Sequence, residues 1–211
     1  MTKMQITRRR ALGALATIGA GSAAAGAGTF ALFSDEETSD GNSLTAGTLD
    51  LQTGNSSTIS FTASDVKPGQ SGSSSLDLQK AGSIAGDLTV EVTSVSSTEN
   101  NNPDSETDTT GDGELDDQLD LNIWLGTSSG TDTTFDSTAD PVLNSDGTTG
   151  SSENYEPAVN YDATSWGDVI TGFSGPVSFN VDWQFPDDGA TNNAAQGDDL
   201  TVDFTFTLTQ Q

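Results

Sequence analysis

From residue 47 to the end of the chain, apolar and polar residues alternate in short runs that turn residues separate. Such alternation is typical of a β-strand with one buried face and one face in water. The clearest runs occupy residues 88–92, 119–125, 177–185 and 200–208, and weaker runs occupy 49–51, 59–63 and 76–78. No sustained helical period interrupts them, and the only helical feature predicted there is a short turn at residues 166–170.

About seven or eight such strands predict an all-β fold, an antiparallel β-sandwich over residues 47–211. The pattern alone does not distinguish a jelly roll from an immunoglobulin-like sandwich. Long acidic loops are predicted between the strands: an acidic insertion at residues 97–117 and a loop region at 126–165, with one edge strand near 141–143.

Large aromatic residues recur on the last two strands at alternate positions. They are Phe179, Trp183, Phe204 and Phe206. Alternating aromatic residues in strands usually pack in the core, so we interpret this stripe as core. The alternative is an exposed platform that binds carbohydrate.

Residues 1–31 have the pattern of a signal peptide: a basic start followed by an uncharged, Ala- and Gly-rich stretch that predicts a signal helix. The small residues near its end predict cleavage between Ala31 and Leu32, which would leave an N-terminal extension at residues 32–46. Arg8 and Arg9 fit a twin-arginine signal, but a general secretory signal remains open. Export machinery and a signal peptidase are the expected partners, and the cell surface is the expected location. The alternative is a leader retained as a membrane anchor.

Acidic residues dominate the chain after residue 31. All 32 Asp and Glu lie there, with only Lys67 and Lys80 to oppose them, so this part carries a net charge of −30. Such a charge excludes nucleic acid as a partner. It also opposes compaction unless salt screens it, which predicts a halophilic setting.

The chain contains no Cys and no His. A zinc peptidase needs such ligands, most simply in an HExxH arrangement, and a Ser nucleophile needs a base. We therefore predict that the protein is not an enzyme and has no cofactor apart from a hypothetical Ca²⁺.

The calcium hypothesis rests on carboxylates in the acidic insertion. The candidate ligands are Asp108, Asp112, Glu114 and Asp116. Hard oxygen ligands at such spacing suit Ca²⁺. Counted from Asp108 as an EF-hand loop, however, the twelfth position is Leu119, so the closing carboxylate is missing. The alternative is a solvated acidic loop. One further motif, the sequon at Asn55, predicts a glycosylation site.

Three stretches resemble the TasA and camelysin family of secreted proteins, which a SipW-type signal peptidase processes. They are the junction at 28–51 (GTFALFSDEETSDGNSLTAGTLDL), Val66-Lys67-Pro68-Gly69-Gln70 followed by Gly82-Ser83-Ile84, and 195–200 (AQGDDL) leading into 204–206. The resemblance implies a jelly roll exported to the cell surface and able to polymerise into biofilm matrix fibres. It also implies a link to metallopeptidases, which the missing ligands oppose.

Two classes of function remain. The first is a filament subunit whose partner is itself: the extension, with Leu32 and Phe33 at its tip, would add as a strand to a neighbouring sandwich. The second is a monomeric surface module that binds calcium, glycan or protein.

Overall fold

The fold is a sandwich of two β-sheets, as the alternation predicts. The computed structural model describes residues 48–52, 56–81, 83–100, 111–127, 132–189 and 192–210. The strands are β1 (Thr48–Gln52), β2 (Ser56–Ala63), β3 (Ser71–Ala81), β4 (Gly86–Thr98), β5 (Asp120–Gly126), β6 (Val142–Leu143), β7 (Thr149–Gly150), β8 (Glu156–Pro157), β9 (Ser165–Phe173), β10 (Val177–Gln184) and β11 (Asp199–Gln210). The helical elements are α1 (Leu115–Gln118) and two 3-10 turns, Ala158–Tyr161 and Asn193–Ala195. None of the helices in these ranges is long and apolar enough to span a bilayer.

Along the chain, β1 to β5 and β8 to β11 alternate between the two sheets, whereas β5 to β8 all belong to sheet A. Sheet A has the order β1-β3-β10-β5-β6-β7, with β8 beside β5, and sheet B has the order β2-β11-β4-β9. The antiparallel sets β3-β10-β5-β6 and β2-β11-β4-β9 have the strand order of a jelly roll, so the topology decides what the pattern left open. β1 is an addition to that plan, because it pairs with β3 in parallel at the edge of sheet A.

The core lies between the sheets and is built from the apolar positions of the alternating runs. Phe179 of β10 contacts both Phe204 and Phe206 of β11 edge to face, with ring centroids 4.9 Å apart in each pair. Such pairs contribute about 0.5–1.5 kcal/mol each beyond the area they bury. These three rings confirm the core interpretation of the aromatic stripe. Trp183, the fourth member, is only partly buried.

The helical turn predicted at residues 166–170 is wrong, because these residues belong to strand β9. Gly167 and the left-handed Asp168 (φ 51°) interrupt the alternation that would have indicated a strand. The edge strand predicted near 141–143 is present as β6. It belongs to a segment, residues 132–157, that adds β6, β7 and β8 to sheet A and places Asp132, Phe135 and Asn154 over the outer face of the sheet.

Both faces of β5 are buried, the inner face by the core and the outer face by this segment. Trp124 is 1% exposed, donates its Nε1–H to Asp182 Oδ2 at 2.7 Å and contacts Phe135 edge to face. Asn122 is also buried and accepts a hydrogen bond from the Asn154 amide at 3.0 Å. The outer face of this part of sheet A is therefore a polar layer under a loop rather than a solvated surface.

Candidate cation site

Three carboxylates from separate parts of the chain meet at one end of the sandwich. Glu99 directly follows β4, Glu114 directly precedes α1, and Asp198 directly precedes β11. One carboxylate oxygen from each lies within 4.8 Å of the other two. We call this group the carboxylate cluster.

The short segment around α1 is anchored so that Glu114 faces the other two carboxylates. Leu115 is fully buried, and its amide donates to Ser97 Oγ at 3.1 Å. The Ser97 hydroxyl in turn donates to the Asp199 carbonyl at 3.3 Å, which joins the end of β4 to the start of β11. Asp112 forms an antiparallel bridge with Thr98. Residues 111–117 are thus docked onto the sandwich, so the acidic insertion does not begin at 97, and its end is not a solvated loop.

Gly113 allows this close approach. A Cβ at this position would lie 2.7 Å from Ser97 Oγ and 2.8 Å from Asp198 Oδ2, closer than real Cβ atoms come to their neighbours. The next amide, that of Glu114, donates to Asp198 Oδ2 at 2.7 Å. The backbone therefore holds one Asp198 oxygen in place at the centre of the cluster.

The cluster concentrates negative charge on carboxylate oxygens that are mostly buried. Asp198 is fully buried, and both oxygens of Glu99 and one of Glu114 are also buried. Two ionised groups 4.8 Å apart repel each other by roughly 3 kcal/mol at an effective dielectric constant of about 20. Burial raises the pKa of the adjacent Asp116, and the charges of Asp117 and Asp198 raise it further. A bound cation or shared protons would relieve this repulsion.

The calcium ligands predicted from the sequence lie in different places relative to the cluster. Glu114 belongs to the cluster, Asp116 lies beside it, and Asp112 is exposed. Sequence reasoning missed Glu99 and Asp198 as partners of Glu114. Their only signal was their position at the ends of alternating runs, since a carboxylate at a strand end lies at the rim of a sandwich.

The remaining sequence-predicted site residues lie outside the residues that the structure describes. They are Arg8, Arg9, Ala31, Leu32, Phe33, Asn55 and Asp108. The predictions for export, cleavage, assembly and glycosylation that rest on them stay predictions.

A family model described as camelysin metallo-endopeptidase matches residues 5–211. The chain belongs to this family. The match covers nearly the whole chain and confirms the resemblance seen in the three sequence stretches. No curated protein matches the chain.

The camelysin family name implies a metal, so the donor set of the cluster can be tested against one. Zinc sites in peptidases combine imidazole nitrogen with carboxylate, and the chain has no His and no Cys. The cluster supplies oxygen donors only, which does not fit a peptidase zinc ion. Oxygen donors do suit Ca²⁺, whose ligands lie at about 2.3–2.6 Å, so that two ligands of one ion are at most about 5 Å apart. The spacing of the cluster meets that limit.

Proposed function

We propose that this camelysin-family chain is an exported structural subunit that assembles into extracellular filaments by strand addition, and that it is not a peptidase. The observation that carries the proposal is strand β2 at one edge of sheet B. Its sequence, SSTISFTA, contains no charged residue, no Gly and no Pro. β2 is thus an edge strand of eight residues that carries none of the chain's 32 acidic residues.

β2 has the geometry that strand addition needs. It pairs with β11 without a register shift from Ser56 to Ala63, and β11 is its only partner among the described strands. Edge strands are usually blunted by charge, Pro or bulges, because their backbone groups can pair with another chain. β2 has none of these protections within its described residues.

The expected donor is the mature N-terminus of a second copy. Leu32 and Phe33 are the two large apolar residues at its tip, and burial of the Phe33 side chain would contribute roughly 1.5–3 kcal/mol per contact. Because the donor and the acceptor are different surfaces, each added subunit leaves a new acceptor edge, and the assembly grows as a filament. Glu36 and Glu37 of the donor are charged, so pairing should require salt.

Removing the donor tests this proposal. The mature chain should form filaments visible by electron microscopy at high salt, and the chain lacking residues 32–40 should remain a folded monomer. Phe33→Asp should also remain monomeric, whereas Ser34→Ala, a change beside it that keeps the apolar tip, should assemble. Filaments from the deletion variant that match those of the wild type would contradict the proposal.

The carboxylate cluster favours a second role, the binding of a hard divalent cation such as Ca²⁺. Three carboxylates within one coordination sphere support it, since Asp198 is buried and Glu99 and Glu114 have buried oxygens. The cluster joins the end of β4 to the start of β11, so a bound ion would stabilise the two central strands of sheet B. Isothermal titration of the chelator-treated protein with Ca²⁺ tests this role, and heats no greater than those of Asp198→Asn would argue against it.

The family name makes peptide hydrolysis the competing function. A peptidase would cleave unstructured substrates in a metal-dependent manner, and Glu114→Gln would abolish that cleavage. We expect no cleavage by the wild type with either Zn²⁺ or Ca²⁺. Metal-dependent turnover that Glu114→Gln removes would overturn the structural proposal.

A further inference from the structure

Trp183 differs from the other three residues of the aromatic stripe. Phe179, Phe204 and Phe206 are fully buried between the sheets, whereas Trp183 lies near the end of β10 and is only partly buried. Its indole forms one wall of an open cleft with a volume of about 390 Å³. Pockets for small ligands start at roughly 300 Å³.

The position of the indole is fixed by Gly72, its partner on β3. A Cβ at this position would lie 2.8 Å from indole atoms Cε2 and Cζ2, so only glycine lets the ring lie against the strand. Val66, which is buried, adds apolar surface to the lining.

The polar side of the cleft comes from the connection between β2 and β3. Asp65 has a left-handed backbone (φ 55°), and Gln70 is held by the Lys67 amide, which donates to its Oε1 at 2.8 Å. This connection is tied to β10, since the Gly69 amide donates to the Phe185 carbonyl at 2.7 Å and the Phe185 amide donates to the Gln70 carbonyl at 2.8 Å. The cleft is therefore built before any ligand arrives.

The cleft combines an aromatic wall with a carboxylate, an amide and the hydroxyls of Thr62 and Ser71. A sugar ring matches this combination, because its C–H face packs on an aromatic ring while its hydroxyls both donate and accept hydrogen bonds. The chain's net charge of −26 disfavours acidic sugars. We propose that the Trp183 cleft, which borders the Thr62–Ala63 end of β2, binds a neutral saccharide at a site separate from the carboxylate cluster.

Intrinsic fluorescence gives a direct readout. Trp124 and Trp166 are each 1% exposed, so a ligand in the cleft should change the emission of Trp183 alone. The mature protein is titrated with neutral trisaccharides of glucose, mannose and galactose, and with a trisaccharide of galacturonic acid, and binding is checked by calorimetry. We expect saturable binding of at least one neutral trisaccharide and none of the acidic one.

Variants localise the binding. Trp183→Leu removes the wall, and Gly72→Ala displaces the ring, so each should weaken binding about tenfold or more. Gly175→Ala is the matched control, because a Cβ there meets nothing within 4 Å. Asp65→Asn should weaken binding, whereas Asp168→Asn, which changes the other exposed left-handed Asp, should not.

The proposal fails if no neutral trisaccharide binds up to its solubility limit, or if the acidic trisaccharide binds as well as the neutral one. It also fails if Gly72→Ala and Asp65→Asn bind like the wild type, a comparison that holds even if Trp183→Leu does not fold.

Discussion

The two edge strands of sheet B are built in opposite ways. β9 carries Gly167 and Gly172, has the charged Asp168 in a left-handed conformation, and pairs with β4 with two register shifts. β2 is uncharged and keeps one register with β11 throughout. Bulges, glycines and charge are the means by which proteins prevent an edge from pairing with another chain.

Within the described residues, only one edge of sheet B, the one formed by β9, therefore has features that prevent pairing with another chain. If the chain assembles as proposed, the contrast predicts strand addition at β2 and none at β9. The following predictions test the contrast, in order of decreasing expected effect.

A carboxylate on β2 should block assembly, while the same change on β9 should not. Thr58 and Thr171 are both exposed threonines on edge strands of sheet B. Thr58→Asp places a charge beside the acidic donor segment and should raise the concentration needed for filaments about tenfold or more. Thr171→Asp should leave it unchanged. Sedimentation at high salt measures the concentration at which each variant forms filaments. Equal effects of the two substitutions would contradict the proposed difference between the edges.

Both edges depend on the central strands β4 and β11, which the carboxylate cluster joins. If Ca²⁺ binds there, an excess of about 100-fold over its Kd should stabilise the fold by about 2.7 kcal/mol and raise Tm by roughly 5–10 °C. Glu99→Gln and Asp198→Asn should abolish this rise. Without Ca²⁺, Glu99→Gln should be more stable than the wild type, because it removes one of the repelling charges.

Asp112→Asn is the matched control for the calcium experiment. Asp112 is an exposed carboxylate in the same segment, outside the cluster. It should keep the full response to Ca²⁺. A response lost in Asp112→Asn and kept in Asp198→Asn would favour the EF-hand-like prediction over the cluster.

Acidification should stabilise the sandwich through three carboxyl groups that lie outside both edge strands. Burial raises the pKa of Asp116, Asp120 and Asp182 above the ordinary value near 4. The folded state then binds more protons than the unfolded state, so stability should fall as pH rises from about 4 through the raised pKa values.

Asp182→Asn should reduce that pH dependence. The substitution removes the titrating carboxyl group, and the side-chain oxygen of the new Asn can still accept a hydrogen bond from Trp124 Nε1. Denaturant unfolding of the wild type and the variant between pH 4 and 7 measures the difference. If the free energy of unfolding depends on pH equally in the wild type and the variant, Asp182 is not a source of the pH dependence.

A smaller effect is expected from the hydroxyl that ties β2 to β11. Ser60 Oγ donates to Asp203 Oδ1 at 2.6 Å, and Ser94 Oγ from β4 donates to the other oxygen at 2.8 Å. Ser60→Ala should lower the free energy of unfolding by about 1 kcal/mol. Ser165→Ala on β9 should change it by less than about 0.5 kcal/mol, since Ser165 makes no side-chain hydrogen bond with the described residues. Thermal unfolding distinguishes the two variants.

The sequence predicted those parts of the fold that local periodicity controls. β5, β10 and β11 alternate strictly, so their strands and the burial of Phe179 and Phe204 could be inferred from spacing alone. β9 could not, because Gly167, Asp168 and Gly172 break the alternation for the same reason that they protect the edge. The burial of Trp124 could not be predicted either, since it depends on a segment that folds back over sheet A.

The candidate site was predictable only in part, because its members are distant along the chain. Glu114 and Asp198 are 84 residues apart and meet through the pairing of β4 with β11. Local spacing predicted Asp108, Asp112, Glu114 and Asp116, of which Glu114 belongs to the cluster. A jelly-roll strand order was needed to show that the end of β4 and the start of β11 are neighbours.

Strand addition to β2 is tested most directly by a disulfide between two different chains. The chain has no Cys, so one population can carry Ser34→Cys in the donor and another Thr58→Cys on β2. The two are mixed at about 1 M salt, where the Debye length is about 3 Å, and then oxidised. The account predicts a covalent heterodimer, and none when Thr171→Cys on β9 replaces Thr58→Cys. Equal cross-linking to both edges, or no cross-linking to β2 under conditions in which filaments form, would contradict it.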